Sequence, residues 1–306
     1  MKLSELLGNP SFKEKFVLQK FLCTFLHCSR EELWTNMDKE ISDEIIQKIL
    51  VAYKSYVEDK KPLEYILGHV DFFGREFYVN EATLIPRPET EYMINSVTEF
   101  ISEQWTVNSE QGRKNLLLDI GTGCGVLGIS VLLQNPGYFA EAIFSDYFAN
   151  ALEVAKINYQ KLVIDQGKMN NEKGIMKVSF LQSDLLEFML VKSPFVSPFI
   201  KGGLAGNVIL VANLPYIPEE TFEANAADNV KKREPKPAFV GGDDGLIYYR
   251  KMFDQIINMK LQNLMMFLEM MTWQVDVLRQ EFGDRFEFEE VKTFHFNIRI
   301  VKAWLK

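Results

Sequence analysis

The stretch LLLDIGTGCGVLGIS, Leu116 to Ser130, decides the fold. Leu116 to Ile120 is an apolar run broken only by Asp119, the pattern of a strand buried on both faces of a parallel sheet. Gly121, Gly123 and Gly125 come at once after it. Glycines in that place let the backbone take positive φ and approach a ligand closely. The apolar spacing then predicts a helix over Val126 to Gln134. The same alternation continues along the chain. Strands are expected at Ala142 to Ser145, Val178 to Leu181, Val208 to Ala212 and Leu264 to Leu268, and helices at Ala149 to Gln160, Tyr248 to Leu261 and Trp273 to Glu281. Two strands with little between them, Phe286 to Val291 and Ile298 to Trp304, close the chain. Alternating strands and helices specify an open, doubly wound α/β sheet, and the closing pair predicts an antiparallel edge. The polar stretches 165–176 and 193–207 read as loops.

The pattern differs toward the N-terminus. Leu18, Phe21, Leu22, Phe25 and Leu26 recur at helical spacing, as do Ile45, Ile49, Ala52 and Tyr53. Ser29 with Glu31 and Glu32 after it suits a helix start. Residues 1–70 therefore read as a small helical domain with no catalytic signature and a structural or recognition role. Phe72, Phe73, Phe77, Tyr78 and Val79, with Gly74 among them, predict a β-hairpin. Pro86 and Pro88 stiffen the next segment, so 71–90 reads as hairpin and linker and 91–306 as the sheet domain. A chain of 306 residues accommodates two domains.

Composition narrows the function classes. The formal charge of -8 argues against a protein that binds nucleic acid over its whole surface, which requires clustered cations. One local cluster, Lys231, Lys232, Arg233 and Lys236, reads as a solvated loop or as a patch for an acidic or ribosomal partner. Three cysteines, Cys23, Cys28 and Cys124, with no secretory signal fit a reducing, cytoplasmic compartment. Cys23, His27 and Cys28 lack a second ligand cluster, so no metal is expected. No apolar run is long enough to cross a membrane.

Four features carry the chemistry. Gly121, Thr122, Gly123, Cys124 and Gly125 form the turn at the carboxyl end of a strand, where open α/β sheets bind ligands. Gly123, Gly125 and Gly128 also satisfy the dinucleotide pattern G-x-G-x-x-G, so this turn alone fits a nicotinamide cofactor as well as S-adenosylmethionine. Asp146, after the second strand, can accept from both ribose hydroxyls, which either cofactor offers; it can equally cap the next helix. Asp184, after the third strand, can accept from an adenine amino group with Leu185 packed on the ring, or can be another cap. Asn213, Leu214, Pro215 and Tyr216 come after the fourth strand and decide between the cofactors. An amide nitrogen has its lone pair delocalised and attacks poorly. Acceptors on each of its N–H groups, the Asn213 side-chain oxygen and the Leu214 carbonyl, can turn that lone pair toward a methyl donor. Pro215 restricts Leu214 to extended geometry, and Tyr216 can stack on the planar amide. No hydride transfer needs such a tetrad.

On these residues, the sequence resembles the HemK/PrmC family of protein-(glutamine) methyltransferases. The matching runs are Pro62 to Gly68, Leu84 to Glu91 with its R-P-E-T-E, Leu118 to Gly125, Val211 to Ile217, and Glu234 to Arg250 with Gly241 to Leu246 inside it. The resemblance implies a seven-stranded, doubly wound, Rossmann-like methyltransferase sheet behind a helical domain that helps bind the substrate. It implies S-adenosylmethionine as donor, S-adenosylhomocysteine as product, and a release-factor glutamine in a Gly-Gly-Gln loop as acceptor. By the same resemblance Gly121 to Gly125, Asp146 and Leu185 contact the donor and Asn213 to Tyr216 hold the glutamine. Asp184 and Asn213 are further expected donor contacts, and a monomer is expected. Two departures stand out. Leu214 replaces the family's usual Pro, and His295 to Arg299 matches the family's ending only loosely. Asn-Leu-Pro-Tyr also occurs in ribosomal RNA adenine dimethyltransferases, so an adenine N6-methyltransferase acting on RNA or DNA is the competing expectation.

Overall fold

The computed structural model describes residues 1–108, 115–167, 176–190, 207–259, 263–291 and 298–306. Most of the expected loops at 165–176 and 193–207, the end of the helix expected to reach Leu261, and His295 to Asn297 lie outside the described residues. The chain forms two compact units. The first comprises Met1–His69 together with Ala227–Arg233, and the second comprises Val70–Ala226 together with Glu234–Lys306.

The first unit holds helices α1 (Leu3–Gly8), α2 (Lys15–Leu26), α3 (Arg30–Thr35), α4 (Asp43–Val57) and α5 (Leu63–Leu67). Their apolar stripes meet in a core that includes Leu6, Leu18, Phe21, Leu22, Leu33 and Ile49. Phe12 packs edge-on against Tyr53 at 4.7 Å between ring centres. The predicted helix start is a capping box: Ser29 Oγ accepts from the Glu32 N–H at 3.1 Å, and Glu32 accepts from the Ser29 N–H at 2.8 Å.

The second unit begins with strands β1 (His69–Phe72) and β2 (Arg75–Tyr78). The two residues between them, Phe73 and Gly74, have φ of 49° and 68°. Both central residues at positive φ make the tight hairpin turn whose twist suits paired strands. A 3₁₀ turn at Pro88–Thr90 leads into α6 (Glu91–Asn108). Then come β3 (Asn115–Ile120), α7 (Val126–Gln134), β4 (Phe139–Asp146) and α8 (Ala149–Tyr159), which runs on as a π-helical turn, Gln160–Ile164. Next are β5 (Lys177–Gln182), α9 (Glu187–Leu190), β6 (Val208–Ala212), α10 (Glu219–Asn225) and α11 (Asp228–Arg233). The chain ends with α12 (Ile247–Met259), β7 (Leu264–Met271), α13 (Thr272–Phe282), β8 (Phe286–Val291) and β9 (Ile298–Leu305). The short α11 belongs to the first unit, where the Arg233 guanidinium donates to the Asp59 carbonyl at 2.7 Å. No periodicity in the sequence marks that return.

The seven strands form one sheet in the order β5-β4-β3-β6-β7-β9-β8. Pairs from β5 through β7 are parallel, whereas β9 runs antiparallel to both β7 and β8, so the expected antiparallel edge is present. All of β3 and β6 is buried, as strands covered on both faces must be. The chain leaves β3 toward β4 and β5, then returns to lay β6 on the other side of β3. That reversal opens a crevice at the carboxyl ends of β3 and β6, the place where such sheets bind ligands. Ile120 pairs with Ala212, so the turns leaving the two strands start side by side. Among the described residues no helix is long and apolar enough to cross a membrane.

Gly128 is the point where α7 meets the sheet. A Cβ there would lie 2.5 Å from the Phe144 ring and 2.7 Å from Asp119 Oδ2. Gly128→Ala is expected to destabilise the second unit by about 1–3 kcal/mol through overpacking, read from denaturant unfolding.

Candidate functional site

The two turns share one cavity, of about 570 Å³. Its wall includes Gly121, Thr122, Gly123, Cys124, Asp146, Asp184, Leu185, Asn213, Leu214 and Pro215. Of the residues expected from sequence, Gly125 and Tyr216 are not in the wall. Gly125 precedes α7 at φ 85°, and a Cβ there would strike Ile129 Cδ1 at 2.8 Å. Its smallness therefore serves the turn into the helix. Tyr216 is kept out by a different cause, a buried acid that draws its hydroxyl inward.

Asp119 braces the glycine turn. Its Oδ2 accepts from Thr122 Oγ1 at 2.6 Å and from the Gly128 N–H at 2.9 Å. Oδ1 is buried and without a partner among the described residues. Burial is the largest influence and pushes the carboxyl up to about 7, against the pull of those two hydrogen bonds. From the other side, Asn158 on α8 donates to the Cys124 carbonyl at 2.8 Å and also holds both backbone groups of Tyr78. Cys124 is no nucleophile, because burial pushes its thiol up to about 12.

Asp146 sits at the end of β4 with Oδ2 accepting from the Gly123 N–H and Oδ1 from the Phe148 N–H, each at 2.9 Å. Burial raises its carboxyl, while these backbone donors lower it. Each oxygen keeps a second lone pair for a hydroxyl. Asp184 is partly engaged: Lys251 donates to its Oδ2 at 2.6 Å. Leu185 takes φ 54°, a left-handed conformation that a leucine rarely adopts and that marks a constrained turn.

The Asn213–Tyr216 turn is held from behind. Asn213 Nδ2 donates to Thr90 Oγ1 at 3.2 Å and to Glu269 Oε1 at 3.1 Å. The Tyr216 hydroxyl donates to the same Glu269 oxygen at 3.0 Å, which holds the tyrosine back against the core and out of the cavity wall. Gln274 donates to the Tyr216 carbonyl at 2.8 Å and to the Asp244 carbonyl at 2.9 Å. Gly241 and Gly245 press directly on the turn. A Cβ on Gly241 would overlap the Pro215 carbonyl, and one on Gly245 the Tyr216 carbonyl. The G-G-D-D-G run is thus the buttress of the tetrad. Tyr249 donates chiefly to the Glu269 carbonyl and lies only within 3.5 Å of the Leu214 carbonyl.

Glu269 escaped the sequence reading. It is 2% exposed in the middle of β7, and its Oε2 has no partner among the described residues. Desolvation raises its carboxyl against the pull of the Tyr216 and Asn213 hydrogen bonds. The available signal was a lone acid inside the apolar run Leu264–Met271. Glu234 escaped likewise: it accepts from the Ile85 N–H at 3.2 Å and from Arg87 at 2.8 Å, and so fixes the proline-flanked connector. The basic cluster is partly spent within the protein, since Lys236 pairs with Glu219 and Glu223 and Arg233 holds Asp59.

The cavity suits an adenosyl methyl donor. A Cβ on Gly123 would meet nothing within 4 Å, so the loop borders open space where a ligand can lie against its backbone. A dinucleotide's pyrophosphate needs free N–H groups at the start of α7. Here Asp119 takes the Gly128 N–H and Asp146 takes the Gly123 N–H, so neither donor is free for a pyrophosphate.

No family model matches the chain. It is 36% identical over 238 residues to the release factor glutamine methyltransferase of Bacillus cereus, covering 78% of this chain and 72% of the relative. The Bacillus subtilis protein of that name is 34% identical over 230 residues, covering 74% of this chain and 68% of the relative. The one from Lactococcus lactis is 29% identical over 292 residues, 95% and 93% of the two chains. Among solved structures, the N-terminal domain of human METTL16 has a TM-score of 0.50 at 16% identity, covering 96% of this chain and 95% of that one. At that identity the likeness concerns the fold alone.

The raised Asp119 carboxyl makes stability depend on pH. The unfolded chain releases this proton near 3.8 and the folded protein near 7, so the folded state binds more protons in between. Stability therefore falls as pH rises through that window, by up to about 1.4 kcal/mol per pH unit. Asn at 119 keeps both hydrogen bonds through its single oxygen. Asp119→Asn is expected to flatten this slope in thermal unfolding scans between pH 4 and 7 of the ligand-free protein.

Proposed function

Because the chain belongs to the release factor glutamine methyltransferase family, we propose that it methylates the side-chain amide nitrogen of the glutamine in the Gly-Gly-Gln loop of a peptide-chain release factor. The methyl donor is S-adenosylmethionine. The observation that carries the assignment is the state of Asn213. Both hydrogens of its Nδ2 are engaged, and Oδ1 has no partner among the described residues, on a side chain that lines the same cavity as the glycine turn.

When bound, S-adenosylmethionine supplies a methyl carbon on a positively charged sulfur, with S-adenosylhomocysteine as the product. This chain's residues do the rest by position. The Gly121–Cys124 backbone and Asp146 hold the adenosyl portion, and Asp184 and Leu185 receive the base. Asn213 Oδ1 and the Leu214 carbonyl accept the two amide N–H groups. That pose fixes the amide plane so that the nitrogen lone pair, perpendicular to it, faces the methyl carbon. The same two oxygens are the first acceptors for the proton the nitrogen must shed. Orientation and fixed dipoles account for the acceleration, with no covalent enzyme species. Tyr216 tethers the turn through Glu269. Leu214 in place of proline leaves the carbonyl in service, since Pro215 already restrains it. The substrate places the enzyme in the cytoplasm.

Labelled S-adenosylmethionine with a release factor tests the reading; transfer is expected to the intact loop and not to a Gln→Ala loop variant. Asn213→Ala is expected to lower the rate roughly 100–1,000-fold, while the calorimetric affinity for S-adenosylhomocysteine changes little. Asp146→Ala is expected to weaken that affinity first, by about 1–3 kcal/mol for the lost charge-assisted hydrogen bonds.

A further inference from the structure

An asparagine side chain can present either its oxygen or its nitrogen to a ligand, and the two faces are nearly identical in shape. Which one Asn213 presents depends on what stands behind it. Thr90 Oγ1 is 3.2 Å and Glu269 Oε1 3.1 Å from Nδ2. Each accepts one of the two Nδ2 hydrogens. Glu269 Oε1 also receives the Tyr216 hydroxyl at 3.0 Å. Thr90 and Glu269 are 3% and 2% exposed, so water cannot take over either role. Rotating the Asn213 amide by half a turn would put Oδ1 against Glu269 Oε1, an acceptor that already takes the Tyr216 hydroxyl hydrogen.

We propose that Glu269 and Thr90 are positioning residues that lock the polarity of the Asn213 amide, and thereby make the site select a glutamine amide over a glutamate carboxylate. The inference rests on the proposed methylation of a glutamine. With Oδ1 and the Leu214 carbonyl both facing the acceptor, a group bearing two N–H donors finds two partners. A carboxylate finds two repelling oxygens. The specificity of the site is thus written one residue behind it, in the Thr of the R-P-E-T-E connector and in the acid of β7.

The test uses the full-length protein with Glu269→Met, Glu269→Gln and Thr90→Val. Methionine matches the length of glutamate but offers no comparable acceptor. Glutamine can receive both hydrogen bonds through one oxygen, as Glu269 does. In ¹H–¹⁵N spectra the Asn213 side-chain NH₂, assigned by its loss in Asn213→Ala, is expected to exchange slowly with solvent in the wild type and rapidly in Glu269→Met. On a release factor, Glu269→Met is expected to lower kcat roughly 10–100-fold, as for a misplaced reacting group, with the affinity for S-adenosylhomocysteine retained. Glu269→Gln recovers most of the rate, and Thr90→Val falls between. The preference in binding for a Gln loop over a Gln→Glu loop is expected to narrow in Glu269→Met. A wild-type kcat and an unchanged Gln-to-Glu preference in a folded Glu269→Met protein would overturn the proposal. If Glu269→Met does not fold, Thr90→Val with unchanged exchange and unchanged kcat overturns it equally. Failure of the wild type to methylate any release factor sinks the parent function instead, and the exchange measurement then decides the lock by itself.

Discussion

The site depends on one pairing, the parallel contact of β3 with β6 that sets Ile120 opposite Ala212. The chain reaches this arrangement by reversing its direction of travel across the sheet after β5. Two turns from distant parts of the sequence then leave the same edge as neighbours. Their closeness is physical: a Cβ on Gly121 would lie 2.9 Å from Leu214 Cδ2. The glycine turn and the Asn213–Tyr216 turn are thus packed against each other.

Around that contact the protein places three buried carboxyl groups as braces. Asp119 holds the glycine turn, Glu234 the connector and Glu269 the acceptor turn. Burying a carboxyl is costly unless hydrogen bonds compensate it, and each of these has at least two. Two of them keep one oxygen without a partner among the described residues, and burial holds their protons more tightly than usual. The hydrogen bonds they accept fix the backbone and the Asn213 amide around the cavity.

Much of this was legible in the sequence, for reasons that differ by element. The strands β3 and β6 announced themselves because burial on both faces demands a nearly continuous apolar run, and the bounds of β6, α7 and β8 match the expected ones. Asp146, Asn213 and the glycine turn could be singled out because strand ends in this architecture are where ligands bind, and the structure brings them to one cavity. The residues behind them were not. Glu269 and Glu234 are single acids whose meaning lies in partners 56 and 147 to 149 positions away, and no local period encodes such contacts. Tyr216 was expected to stack on the substrate amide, and the acid that accepts from its hydroxyl has no motif around it. The return of 227–233 to the helical unit was equally silent, since it rests on one arginine reaching a backbone carbonyl.

The Gly241 and Gly245 contacts bear on inheritance and design. Each glycine presses its bare α-carbon against a carbonyl of the acceptor turn, so neither that turn nor the G-G-D-D-G run can drift in shape alone. The two are one module, although 25 to 29 residues separate Tyr216 from Gly241 and Gly245. Grafting the Asn-Leu-Pro-Tyr tetrad onto another nucleotide-binding sheet without its glycine partner would transplant the letters and leave the shape behind.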